Sequence, residues 1–83
     1  MNTIQNNTPQ LGNMAYVYAK ANGMRNFKAF DLEGIFVGSL IYASMLMGDK
    51  EDRRKLQELA NDNKQGGWQF QLRRNGKVLF QTA

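Results

Sequence analysis

The sequence predicts an α+β domain: a small antiparallel sheet of about four to five strands packed on one helix, in the order β-β-β-(β)-α-β-β. Three observations lead there. Asn22-Gly23 and Asn75-Gly76 each sit between alternating runs, the strongest short-range signal for a hairpin. From Asp49 onward, apolar side chains recur at helical spacing. Trp68-Gln69-Phe70-Gln71-Leu72 then alternates apolar and polar residues without a break, as a half-buried strand does.

Residues 1–13 are rich in Asn, Gln and Thr, carry Pro9 and Gly12, and read as a flexible N-terminal tail ahead of a single domain over 14–83. Ala15 to Lys20 alternates, as does Phe27 to Phe30, with Asn22-Gly23 at the corner between them. A three-residue loop over Ala21-Asn22-Gly23 would pair Val17 with Phe27 and Ala15 with Ala29. That register gathers Tyr16, Tyr18, Lys20 and Lys28 on one face, although Met14 and Phe30 fall there too.

Ile35-Phe36-Val37 and Leu40 to Ala43 are rich in branched and aromatic residues and read as strand, with Gly38 as a bend or bulge. The competing reading is a buried helix with Phe36, Leu40, Ala43 and Met47 on one face. The run Gly34–Gly48 is uncharged but, at 15 residues, shorter than the roughly 20 needed to span a bilayer, so it is assigned to the core.

Asp49 is placed to cap a helix, with Glu51 and Asp52 in the first turn where the helix dipole favours negative charge. Leu56, Leu59 and Ala60 form its apolar stripe. Glu51 with Lys55, and Arg54 with Glu58, are spaced to pair, and Gly66-Gly67 ends the segment. For the closing hairpin, a two-residue Asn75-Gly76 turn would set Leu72 against Leu79 and leave Val78 and Phe80 on the other side. A three-residue loop, Arg74-Asn75-Gly76, pairs Leu72 with Val78 and Phe70 with Phe80; it collects the apolar residues on one face and is the register expected.

Composition narrows the chemistry. With 83 residues, one domain and one modest core are all the chain can build. There is no Cys and no His, which removes disulfides, thiolate metal sites, the commonest zinc ligand and the commonest general base. Ser39 and Ser44 lie in the apolar run with no histidine to activate them. Asp31 and Glu33, two apart, suit a strand-end turn before Gly34 better than a cation or acid–base site. No glycine pattern matches a phosphate loop. The expectation is a non-enzymatic chain without metal or cofactor. Lacking cysteine and a signal-peptide pattern, it is expected in the cytoplasm, away from membranes; the Asn6-Asn7-Thr8 glycosylation match then carries no meaning.

The formal charge is +4, and its placement says more than its size. Lys20, Arg25 and Lys28 stand in the first hairpin, and Arg73, Arg74 and Lys77 in the last, with no acid in either. The helical segment balances Asp49, Glu51, Asp52, Glu58 and Asp62 against Lys50, Arg53, Arg54, Lys55 and Lys64. Six hairpin cations interleaved with Tyr16 and Tyr18 suit phosphates and stacked bases, or an acidic protein surface. They also suit the simpler task of protecting sheet edges. Trp68 leads the best strand and reads as core.

Size and make-up resemble those of small phage or mobile-element inhibitors, anti-CRISPR and other anti-defence proteins among them, although no motif identifies a family. The expected function is therefore a non-catalytic inhibitor that blocks a host nucleoprotein machine. Arg73, Arg74, Lys77, Lys20, Arg25, Lys28, Tyr16 and Tyr18 would form the contact face. A small nucleic-acid-binding domain using the same face is the alternative, and a dimerising accessory subunit is a third reading.

Overall fold

The computed structural model describes residues 14–83, so the expected tail lies outside the described residues. The domain is α+β, with six strands and one α-helix among the described residues. The strands are β1 (Ala15–Lys20), β2 (Lys28–Asp31), β3 (Ile35–Phe36), β4 (Met45–Leu46), β5 (Gln69–Arg74) and β6 (Lys77–Gln81); the helix, α1, spans Lys50–Asp62. The antiparallel sheet runs β3-β2-β1-β5-β6, and β4 also pairs with β1. Among the described residues no helix is long and apolar enough to cross a membrane.

Strand β1 lies in the middle. Its Ala15, Val17 and Ala19 are fully buried, and Tyr16, Tyr18 and Lys20 alternate to the other side. The buried side meets Phe30, Phe70 and Leu72 from the neighbouring strands and Leu56 and Ala60 from α1. Helix α1 forms as its sequence dictates. The Asp49 carboxylate accepts the Asp52 N–H at 3.0 Å, and the Asp52 carboxylate accepts the Gly48 N–H at 3.0 Å, satisfying two N-terminal donors. Glu51 pairs with Arg54 rather than with Lys55, and the same Arg54 also takes Glu58.

The first hairpin departs from the expected register. Tyr18 stands opposite Ala29, and Ala19 opposite Lys28, three residues along from the expected pairing; Ala21 to Phe27 form a longer loop. An odd shift exchanges the two faces of a strand. It buries Phe30 on the side of Val17, where the shorter loop would have exposed it. The gain from enclosing a phenylalanine, about 2–3 kcal/mol, decides the register over the shorter loop.

The closing hairpin uses the two-residue turn instead of the three-residue loop. Asn75 and Gly76 both have positive φ, at 52° and 79°, as a mirror-image turn requires. Arg74 faces Lys77 and Arg73 faces Val78, but Leu72 faces Phe80, with a bulge between. Leu79 is the extra residue. The bulge keeps the turn preferred by Asn-Gly and still brings Phe80 round to the core, a combination neither regular register offers.

Residues 35–47 are neither a long strand nor a buried helix. After β3 the Val37 N–H donates to Ala29 O (3.1 Å), and the Ser44 N–H donates to Phe30 O (3.1 Å). Successive carbonyls of a strand point to opposite edges, so residues 38–43 straddle β2, with a 3-10 turn at Leu40–Tyr42 on the way. Ser44 then fastens the junction: its carbonyl accepts from Val17 N–H (2.9 Å) and its hydroxyl from Leu32 N–H (2.8 Å). The expectation that this run is core fails. Ile41 is 76% exposed, Tyr42 66% and Ile35 59%, while Ala43 is the buried member.

Candidate functional site on the open sheet face

Helix α1 covers one side of the sheet, leaving the Tyr16, Tyr18 and Lys20 side open. Register places Arg73 beside Tyr16, Gln71 beside Tyr18 and Gln69 beside Lys20. Gln81 follows beside Gln71 on β6. The Arg73 guanidinium lies 4.2 Å from the centre of the Tyr18 ring, within the range of a cation–π contact. Its Nε donates to Gln71 Oε1 at 2.8 Å, and Gln71 Nε2 donates in turn to Gln81 Oε1 at 2.6 Å.

The Phe27 ring lies between two cations, with Lys20 Nζ at 5.2 Å and the Arg73 guanidinium at 6.0 Å. Among the described residues no carboxylate pairs with Lys20 or Arg73; the ion pairs there belong to Arg54 on α1. Arg73 is thus held by an aromatic plane and a neutral amide. That restricts its rotamers without spending its charge, which suits bidentate capture of a carboxylate or phosphate.

The eight residues expected to act together are divided. Tyr16, Tyr18, Lys20 and Arg73 share the open face. Arg74, next to Arg73 in a strand, belongs by alternation to the helix side, and Lys77 stands opposite it at the hairpin tip. Lys28 stands opposite Ala19 and so also lies on the helix side, contrary to the expected grouping with the tyrosines. Arg25 is exposed in the first loop. The two Asn-Gly corners lie at opposite ends of the six-residue β1, about 20 Å apart, so their cations do not form one tip cluster.

Phe27, Gln71 and Gln81 were not among the expected site residues. The shorter loop would set Phe27 in the paired strand opposite Val17, and the register shift carries it over Lys20 instead. The glutamines were visible as the polar phase of two alternating strands, without a sign that they would link side by side.

The remaining candidates resolve structurally. Trp68 is half-buried, stacked on Phe36 (5.7 Å) and Phe70 (5.9 Å), and packs against the core as expected. A hollow of about 150 Å³ beside it, lined by Phe30, Leu32, Leu59, Asn63, Trp68 and Phe70, is smaller than the ~300–1,000 Å³ of small-molecule sites. The Asp31 carboxylate accepts from Glu33 N–H (3.0 Å) and from the Ser44 hydroxyl (3.4 Å), the work of a turn residue. Among the described residues no three acidic side chains gather into a metal-binding group.

Comparisons with protein families, with curated proteins and with solved structures find no match to this chain.

Proposed function

We propose that this chain is a non-catalytic binding protein whose open sheet face docks on an acidic surface of a larger protein or nucleoprotein complex. In this reading it acts as a small inhibitor of the phage or mobile-element kind, working in the host cytoplasm. The observation that carries the proposal is the Arg73 guanidinium, stacked on Tyr18 and steered by Gln71, with Lys20 across the Phe27 ring and, among the described residues, no acid paired with either cation. Arginine and tyrosine in a rigid arrangement are the residue types that anchor protein interfaces. Lys20 and Arg73 pair with carboxylates, Tyr16 supplies contact area, and the glutamines form a polar surround.

Direct binding of single-stranded nucleic acid is the second reading. It is favoured by the position of Tyr16 and Tyr18 on the central strand, where sheet-type binders display stacking rings. Arg73 already covers Tyr18, which leaves fewer free rings for bases and ranks the protein partner first.

The test compares the parent chain with a Lys20→Glu/Arg73→Glu variant, folding being checked by circular dichroism. Both are used to capture partners from a bacterial lysate and to titrate labelled DNA and RNA at several salt concentrations. The expected result is a defined protein captured by the parent and lost by the variant, with no nucleic-acid binding at moderate salt. Micromolar nucleic-acid binding with a steep salt slope transfers the assignment to the second reading. Equal capture by parent and variant removes the open face from the mechanism.

A further inference from the structure

The straddling segment adds an apolar surface that adjoins the open face, since Ile35 stands opposite Asp31 and Met45 opposite Tyr16. Ile35, Leu40, Ile41, Tyr42, Met45 and Met47 are all exposed, and they come from a stretch of 13 residues that contains no charged side chain. Their exposed area is roughly 700 Å², inside the ~600–1,000 Å² that each partner contributes to a standard-size interface. Single exposed apolar residues are ordinary, but so many from one uncharged segment are not.

The two borders of the sheet are also treated differently. On the β6 side the border carries Lys77, Gln81 and the Leu79 bulge, features that discourage strands from joining edge to edge. On the β3 side it carries Ile35 and the uncharged Leu40–Tyr42 turn.

We infer that the 35–47 ledge is a homodimer interface, with a second copy of this chain as its occupant. A two-fold axis places the same ledge of each copy against the other. Because the segment is uncharged, the closed contact buries no ion and sets no like charges together, although each copy carries a net +4. A peptide or another protein would need to bring an equally large uncharged surface, which the second copy already has. The dimer carries two Arg73–Tyr18 centres, so a partner with repeated acidic sites is held by both at once.

Sedimentation velocity across low to high micromolar protein tests the inference. The parent mass rises from 9.5 kDa towards twice that value as concentration increases. Ile41→Asp, at the most exposed position, weakens association about tenfold or more by burying an unpaired charge, and leaves the melting temperature of dilute protein unchanged. Val78→Asp, equally apolar and 50% exposed on β6, leaves association as it was. A parent chain that stays at 9.5 kDa throughout overturns the inference and leaves the ledge to a different protein. Association that resists Ile41→Asp, or yields to Val78→Asp, overturns it as well. None of these outcomes depends on what the open face binds.

Discussion

Replacing Gly67 by alanine tests the joint between the first loop and the end of the helical segment. Gly67 follows the 3-10 turn at Lys64–Gly66 with φ 70°, and its N–H closes that turn on Lys64 O at 3.0 Å. A methyl group at this α-carbon would lie 1.9 Å from Asn22 Oδ1 and 2.3 Å from Asn22 Cγ. Two costs follow. The left-handed backbone costs an alanine about 1–2 kcal/mol. The Asn22 amide must also swing away, giving up its donation to Gln65 O (3.4 Å) and loosening a turn held by the Asn22 N–H to Gly66 O bond (2.9 Å), about 1 kcal/mol more.

The expected loss is thus about 2–3 kcal/mol, from a total stability on the order of 4–12 kcal/mol for a chain of this size. Urea unfolding followed by circular dichroism measures it, with the slope unchanged. A double-mutant cycle separates the two costs. In an Asn22→Ala background the clash has gone, and Gly67→Ala costs only the backbone share, leaving a coupling of about 1 kcal/mol. A coupling near zero refutes the close approach of Asn22. A total loss below about 0.5 kcal/mol refutes the left-handed backbone as well.

Three further outcomes are expected. Leu56→Ala, at the buried centre of α1, costs about 3 kcal/mol and lowers the urea midpoint accordingly, whereas Leu59→Ala, only partly buried, costs less. Ser44→Ala removes the acceptor of the Leu32 N–H and the donor to Asp31, and costs about 1 kcal/mol in the same assay. Glu51 titrates below its ordinary value of 4.5, chiefly because the Arg54 guanidinium donates to its carboxylate. A depressed acid stabilises the fold above its unfolded pKa and loses that contribution as pH falls through its folded value. NMR titration of the Glu51 side chain in an Arg54→Met variant therefore shows its midpoint moving up towards 4.5.

Local rules made much of the fold legible. The helix, its Asp49 cap, the alternation in β1 and β5 and both Asn-Gly corners follow from side-chain spacing and backbone preference. The registers did not, because each was settled by a residue distant from its turn. Burial of Phe30 stretched the first loop, and burial of Phe80 drew a bulge into β6. The 35–47 run misled for a related reason: composition reports apolarity but cannot report what covers it, and here Val37 and Ser44 bind the two edges of β2 while the large side chains between them face outward. At the site, Tyr16, Tyr18, Lys20 and Arg73 were legible as residue types. Their separation from Arg74, Lys77, Arg25 and Lys28 depended on strand parity, which only the true register supplies.

The middle position of β1 has a consequence for synthesis. Its longest pairing is with β5, Val17 against Leu72, and the two strands are separated by most of the domain. The portion made first, with β1, β2 and β3 alone, lacks Phe70 and Leu72 to close over Val17 and Ala19. A nascent chain therefore cannot acquire its central contacts strand by strand, and assembly waits until Arg74 has been added. Until then the apolar 35–47 segment and an unpaired β1 edge are available together, which makes the unfinished chain, more than the finished one, the form open to association.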